Sequence, residues 1–282
     1  EENRLYRDEG YGINDLAMHL KNLDIWFGLY LPSLSDMQKA TLKRCLVELY
    51  AQFRIDWDTD ILELEAKDFP VFTDLYLLLK SRAEEQPGEI VYKELLNLLY
   101  DLVYGADSFI WNGHSTVASS ARFLVLDTHA LQETGENVQR AQYFLIMLYN
   151  WRLVSWGRSE RILMAGDEAY LMIDQKVPQA MVYLRNMMKR ARKYEAAVAI
   201  ISHSVRDFLS ESIRQYGQAL LDVPCYKILM GTDGPNLKET RQLYDLTEAE
   251  QELLLARRRG HALFIVGAKR LHIQFDIPVY KF

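Results

Sequence analysis

Short apolar runs alternate with longer amphipathic stretches through the second half of the chain, and this alternation limits the possible folds. The stretches 132–156 and 177–195 have helical periodicity and lie between such runs. The runs are ARFLVLDTHAL (121–131), RILMAG (161–166), AAVAIISHS (196–204), CYKILMG (225–231) and GHALFIVGAKRLHIQFDI (260–277), the last predicting two strands joined at Gly267. The pattern predicts an α/β domain with a mainly parallel sheet.

The region before this domain has a different pattern. From residue 34 to residue 110 apolar residues recur at intervals of three and four, and we find no strand pattern there. Ser35 and Asp36 are candidate helix caps. We therefore predict a start or linker in residues 1–30, an all-helical subdomain in 31–110 and the α/β domain in 111–282.

Charge and cysteine content exclude several classes of protein. The net charge is −6, which does not favour a nucleic-acid binder, although a local basic face remains compatible with one. Cys45 and Cys225 are the only cysteines, too few for a disulfide framework or a cysteine metal cluster, and they indicate a reducing compartment. No apolar run approaches the ~20 residues of a membrane span. The polar, acidic stretch EENRLYRDEGYG does not have the pattern expected of a signal peptide.

Two adjacent carboxylates, Asp167 and Glu168, end the apolar run RILMAG. They could begin the next helix and complement its dipole. They also match a Walker B pair, in which the first carboxylate holds Mg²⁺ through water and the second polarises the water that attacks the γ-phosphate. An apolar strand would hold both groups at one edge of the sheet, as a Walker B pair requires. On these residues alone, both interpretations stay open.

A basic stretch follows within residues 177–195. Arg185, Lys189 and Arg192 are spaced four and three apart and share one helical face, with Arg190 and Lys193 beside them. Such a face is usually solvated. Between a Walker B strand and the next strand, however, an arginine can reach the nucleotide of a neighbouring subunit and stabilise transferred charge.

The segment IISHS ends the following apolar run. A polar residue there can sense the γ-phosphate, and His203 can hydrogen-bond the phosphate or the attacking water. The alternative is that His203 and its serine neighbours cap the following helix.

A phosphate-binding loop is missing from the sequence. The pattern G-x-x-x-x-G-K-[ST] supplies backbone N–H groups, a lysine and a Mg²⁺-binding hydroxyl, and it does not occur in the chain. GTDGPNLKET (231–240) contains Gly, Lys and Thr at the wrong spacing. The chain also lacks a G-x-S-x-G elbow, an H-E-x-x-H motif and histidines at metal-ligand spacing. We therefore expect this chain alone to be inactive in nucleotide hydrolysis.

Three stretches together resemble the HerA–FtsK superfamily of ring ATPases, and most closely the VirB4 family of type IV secretion and conjugation systems. They are RILMAGDEAYLMI, ARKYEAAVAIISHS and NLKETRQLYDLTEAEQELLLARRRGHALFIVGAKRLHI. The resemblance covers roughly residues 107–282. It implies a RecA-like P-loop NTPase core, an all-helical subdomain and a phosphate loop N-terminal to that subdomain. We therefore expect the chain to be the C-terminal portion of a longer ATPase.

The resemblance also implies roles for individual residues. Asp167 corresponds to the Walker B aspartate that holds Mg²⁺ through water, and Glu168 corresponds to the catalytic base. Arg192 corresponds to the arginine finger, with Lys193 beside it as a nucleotide-binding residue. His203 takes the sensor position, where many relatives have Gln. The implied cofactors are ATP and Mg²⁺.

The function implied is that of a motor, in which ATP hydrolysis between subunits of a hexameric ring drives channel or pilus assembly or substrate transfer. The implied partners are further copies of the chain, inner-membrane channel proteins and companion ATPases. The implied location is the cytoplasm, at the inner face of the cell membrane through those partners.

Two other functions remain as alternatives. A HerA–FtsK-like DNA pump would use the basic helix on nucleic acid, and would bind DNA with a steep salt dependence. A non-enzymatic interaction module would use the helical subdomain for docking, with the two carboxylates acting only as helix-start residues.

Overall fold

The structure is a computed structural model that describes residues 15–60, 64–115, 117, 122–156, 161–167, 178–211, 213–276, 278 and 280. The chain divides into two compact units, Glu1–Tyr149 and Asn150–Phe282. The division falls within a long helix, and it does not test the predicted domain boundary between residues 110 and 111, which stays a prediction.

Helices are the regular secondary structure of the first unit in residues 15–60 and 64–115. Ser35 begins the second helix with a capping box, in which Ser35 Oγ accepts from Gln38 N and Gln38 Oε1 accepts from Ser35 N at 2.9 Å. The prediction that Ser35 caps this helix is therefore confirmed. The helices are α1 (Asp15–Tyr30), α2 (Asp36–Gln52), α3 (Phe72–Glu85), α4 (Ile90–Leu98), α5 (Tyr100–Val103), α6 (Ser108–Trp111) and α7 (Glu136–Trp156), the last of which spans the division.

Aromatic side chains form the centre of the first unit. Trp26 is 1% exposed and its ring contacts the rings of Phe27, Tyr30, Phe72 and Trp111 at centroid distances of 5.0–5.3 Å. These rings join α1 to the start of α3 and to α6. Burial of large aromatic side chains is the main stabilising contribution in a unit of this kind.

The second unit contains a parallel strand pair and an antiparallel three-stranded sheet. Strands β1 (Ile162–Gly166) and β2 (Ala196–Ile200) pair in parallel, with Gly166 opposite Ile200. Strands β3 (Tyr226–Met230), β4 (His261–Val266) and β5 (Lys269–Gln274) form the antiparallel sheet, in that order. The helices are α8 (Pro178–Ala191), α9 (Arg214–Asp222), α10 (Gly234–Tyr244) and α11 (Glu248–Leu255).

A leucine-rich core packs one face of the antiparallel sheet against α10 and α11. It consists of Leu237, Leu246, Leu254, Leu263 and Ile265, all at most 8% exposed. Thr247 begins α11 with a capping box to Glu250. The β4–β5 hairpin turns at Gly267, where φ is +57°, so the predicted strand pair joined at this glycine is confirmed.

Two expectations about strands are corrected. The run 121–131 does not form a strand, because residues 122–128 have no regular structure and His129–Glu133 form a 3₁₀ helix. Phe123 and Val125 are 84% and 68% exposed. An extended segment becomes a strand only where a neighbour accepts its ladder hydrogen bonds, and no strand of the described residues lies beside it.

The sheet is also less parallel than expected. Of the three strand pairs among the described residues, only β1–β2 is parallel, while β3–β4 and β4–β5 are antiparallel. The tight turn at Gly267 forces β4 and β5 to be antiparallel, since a parallel pair needs a long crossover connection. No helix in the described residues is long and apolar enough to cross a bilayer.

Candidate functional site

The carboxyl ends of β1 and β2 lie at the same edge of the parallel pair. Gly166 and Ile200 are the last paired residues, and Ile201 N donates to Gly166 O at 2.9 Å. Asp167 follows β1 directly and is exposed. The structure therefore brings Asp167 and the segment that contains His203 to one edge, where ligands of parallel α/β sheets bind. Glu168 lies outside the described residues.

Serine hydroxyls hold the segment after β2 in place. Ser204 Oγ accepts from Arg206 N at 3.1 Å, capping the 3₁₀ helix Val205–Phe208, and it donates to Asn236 Oδ1 at 2.6 Å. Ser204 N donates to Ser202 Oγ at 3.4 Å. The sequence-based alternative of a serine cap is thus correct for Ser204, while His203 is exposed at the rim of the site.

Asp207 is a titratable neighbour of His203 that the sequence analysis did not identify. Burial raises the pKa of the Asp207 carboxyl above its ordinary value, although a hydrogen bond from Ser202 and the charges of His203 and Arg206 oppose this rise. A carboxyl whose pKa is shifted by burial beside a histidine is a common feature of functional sites. No signal in the sequence distinguished Asp207 from the other acidic residues that follow strands.

An open cavity of about 400 Å³ joins the end of β2 to the end of β3. His203 lines one side, and Gly231, Thr232 and Asn236 line the part formed by the loop after β3 and the start of α10. The consecutive arginines 257–259 complete the wall. The hydrogen bond from Ser204 to Asn236 fixes the two strand ends relative to each other.

Arg192 and Lys193 lie away from this edge. Helix α8 ends at Ala191, and Arg192 begins the 3₁₀ helix Arg192–Tyr194 that precedes β2. Both residues are therefore at the amino end of β2, whereas Asp167 and His203 follow the carboxyl ends. A five-residue strand is roughly 13 Å long, so the structure does not bring the two pairs together within one chain.

The basic face predicted for residues 185, 189 and 192 is only partly exposed. Lys189 and Arg192 are exposed, but Arg185 is half-buried and its Nε atom has no hydrogen-bond partner among the described residues. Leu184 and Met187 supply the buried side of α8. The helix therefore presents a narrower basic face than its sequence indicated.

Comparisons with known proteins identify the family. No family model matches the chain, and no curated protein sequence matches it. The solved structure of VirB4 of Thermoanaerobacter pseudethanolicus is similar, with a TM-score of 0.91 and 39% sequence identity over 95% of this chain and 72% of that chain. The chain belongs to the VirB4 family.

Membership of the VirB4 family confirms the function expected from the sequence resemblance, a motor ATPase of a type IV secretion system. Within this VirB4-family chain, the edge that carries Asp167 and His203 is the candidate nucleotide site. The described residues contain no group of three or more His, Cys, Asp and Glu that could hold a metal ion by itself.

The arginines 257–259, like Asp207, are residues of this site to which the sequence analysis gave no role. They belong to LLLARRRGHALF, which is part of the third stretch that resembles the VirB4 family, and the resemblance implied no role for them. Three consecutive arginines immediately before a buried strand were the available signal. Their position beside His203 depends on the pairing of β4 with β3, which the local sequence does not reveal.

Proposed function

We propose that this chain forms the C-terminal part of a ring-shaped, RecA-like motor and that ATP binds at the edge of the sheet that carries Asp167 and His203. The observation that supports this most strongly is the parallel register of β1 and β2, which places both residues at one edge. Hydrolysis there would drive channel or pilus assembly, or substrate transfer, in a type IV secretion system.

Asp167 would hold Mg²⁺ through water, and the bound ion would supply positive charge beside the phosphate oxygens. An exposed carboxylate fits this ion, because Mg²⁺ usually keeps several waters and takes one or two protein carboxylates in addition to phosphate oxygens. Glu168 would accept a proton from the attacking water, and His203 would donate a hydrogen bond to the γ-phosphate or the water. The carboxylate of Asp207 would interact electrostatically with His203.

Arg192 and Lys193 would act on the nucleotide of a neighbouring subunit. Their place at the opposite end of β2 from Asp167 excludes action on the nucleotide of their own chain at this edge. A heterologous interface, in which the amino end of β2 in one subunit faces the carboxyl end in the next, generates a ring where its rotation closes. The hexamer expected from the resemblance would be such a ring.

The phosphate loop would come from a different stretch of polypeptide. Among the described residues, the free edges of β2 and β3 have no strand partner, and the strands of the unit form two separate sheets. Unpaired edges favour the addition of a further strand. A strand inserted between β2 and β3 would join the sheets and deliver the loop beside His203, so this chain alone would not hydrolyse ATP.

The partners would be further copies of this subunit, inner-membrane channel proteins and companion ATPases. Contact with these partners would place the motor at the cytoplasmic face of the membrane. DNA pumping is the second candidate, because α8 ends in an exposed basic stretch. The acidic net charge and the narrow basic face of α8 favour the secretion motor.

Replacement of the proposed base tests the function. In the complete protein, Glu168→Gln is expected to lower ATP turnover by about 100-fold or more while Mg-ATP still binds, because the amide cannot accept the proton. Turnover measured by phosphate release, together with equilibrium Mg-ATP binding, checks this. Glu252→Gln, which changes an exposed carboxylate on α11, is the matched control. Undiminished turnover in Glu168→Gln would remove the assignment of the base.

A further inference from the structure

Three consecutive arginines form one wall of the cavity between the ends of β2 and β3. We call residues 257–259 the arginine turn. Arg257 has φ of +45°, a left-handed conformation that costs a non-glycine residue energy and persists only where surrounding structure maintains it. A sharp turn between α11 and β4 is therefore held in an unfavourable conformation that presents Arg258 and Arg259 beside the cavity.

The loop after β3 maintains this conformation. Arg257 Nε donates to Thr232 O at 3.1 Å, and Thr232 N donates to Leu254 O at 3.2 Å. A Cβ atom on Gly231 would lie 2.7 Å from Arg257 Cα, so only glycine permits this close approach. The guanidinium of Arg257 thus has a structural role, and those of Arg258 and Arg259 are exposed.

The charge of the cavity wall is strongly positive. Arg258 and Arg259 make no ion pair with any other residue in the described part of the chain. The carboxylate on the wall is that of Asp233, whose side chain accepts from Asn236 N at 3.0 Å as the N-cap of α10. The wall thus carries three guanidinium groups and one carboxylate, and this carboxylate already accepts a backbone hydrogen bond. Because positive charge is in excess, the cavity favours an anion.

A nucleotide phosphate fits this cavity better than a nucleic-acid strand. The volume of about 400 Å³ lies in the range of small-molecule sites, and the wall is concave. The cavity lies at the carboxyl ends of β2 and β3, and His203, which follows β2, lines it. Guanidinium groups bind phosphate oxygens through paired, charge-assisted hydrogen bonds.

We propose that Arg258 and Arg259 bind phosphate oxygens of the nucleotide held by the same chain. This inference rests on the proposed function, since it assigns new ligands to the same nucleotide. It differs from the role proposed for Arg192, because the arginine turn lines the cavity of its own subunit. Loss of Arg258 and Arg259 therefore weakens binding in every subunit, whether or not a ring has formed.

Equilibrium binding of fluorescent N-methylanthraniloyl-ATP with Mg²⁺ to the complete protein tests the proposal. The double variant Arg258→Ala/Arg259→Ala is expected to raise Kd by tenfold or more, because two charge-assisted hydrogen-bonding groups are lost. Inorganic tripolyphosphate is expected to displace the probe from the wild type at lower concentration than from the variant. Arg241→Ala, an exposed arginine on α10 outside the cavity, is the matched control and should leave Kd unchanged.

A charge-preserving variant guards against misfolding as an explanation. Arg258→Lys/Arg259→Lys is expected to regain part of the affinity, because charge is kept while the paired hydrogen bonds are lost. Unchanged Kd in the alanine double variant overturns the proposal and leaves the proposed function intact. If the alanine double variant keeps ATP binding but loses salt-dependent binding of duplex DNA, the proposal is also overturned, in favour of a nucleic-acid site. A wild-type protein that does not bind the probe overturns both.

Discussion

Ser204 Oγ donates to Asn236 Oδ1 at 2.6 Å and thereby joins the loop after β2 to the first turn of α10. These residues are 32 positions apart in the chain. The bond fixes the end of the parallel pair, which carries Asp167 and His203, relative to the end of β3 and the arginine turn. The candidate nucleotide site is therefore assembled from both sheets of the second unit.

A double-mutant cycle on Ser204 and Asn236 is expected to show a coupling of about 1 kcal/mol in the free energy of unfolding, the usual net value of a neutral hydrogen bond. Ser204→Ala should lower the free energy of unfolding by about 1 kcal/mol more than this coupling energy, because Ser204 also caps the 3₁₀ helix Val205–Phe208. Urea unfolding of the four proteins measures both values. Additive effects of the two substitutions would show that the bond does not couple the two loops.

Asp207→Asn is expected to stabilise the chain at neutral pH. Burial raises the carboxyl pKa in the folded state, so the unfolded chain loses this proton at lower pH than the folded chain does. The free energy of unfolding therefore falls as pH rises from the ordinary carboxyl pKa through the raised one, and asparagine removes this loss.

The measurement is urea unfolding of the wild type and Asp207→Asn at neutral pH and near pH 4, close to the ordinary carboxyl pKa. The gain should be present at neutral pH and should shrink at the lower pH. Glu252→Gln, at an exposed position, serves as the control. A variant less stable than the wild type at neutral pH would mean that the ionised carboxylate of Asp207 is stabilising.

Mixing two inactive variants tests whether Arg192 acts on a neighbouring subunit. Arg192→Ala and Glu168→Gln are each expected to abolish turnover in the complete protein. In rings formed from equal amounts of both, some interfaces pair an intact Glu168 with an intact Arg192 of the neighbour. Turnover should then recover to about a quarter of the wild-type value if heterologous interfaces act independently.

The control for this experiment is mixing Arg192→Ala with a second preparation of itself, which should stay inactive. Failure of the mixed rings to recover, with ring formation verified by light scattering, would contradict action between subunits. Full activity of Arg192→Ala alone would show that the residue has no part in hydrolysis.

Local sequence patterns predicted most of the second unit correctly. The runs 161–166, 196–204 and 225–231 contain β1, β2 and β3, and the hairpin turns at Gly267. The prediction of a strand in 121–131, which lies in the first unit, is wrong, although the composition of this run is equally suitable for a strand. An apolar, β-branched composition indicates that a segment tends to adopt an extended backbone. Strand formation also requires a partner strand at hydrogen-bonding distance.

The candidate site was predicted in part. The positions of Asp167 and His203 at strand ends followed from the apolar runs that precede them. Asp207 and the arginine turn were missed, because the first is distinguished only by its burial and the second only by the fold of α11 and β4 against β3. The roles of Glu168, Arg192, Lys193 and His203 stay predictions.

The sequence by itself determined most of the segments that become helices and strands, where a cap such as Ser35 begins a helix, and which polar residues end the strands. These properties depend on side chains within a few positions of one another. Only the tertiary structure decided that β1 and β2 end together, that 122–128 stays unpaired, and that the arginine turn lies beside His203. Such relationships depend on strand register and long-range packing, which bring together residues that are distant in the chain.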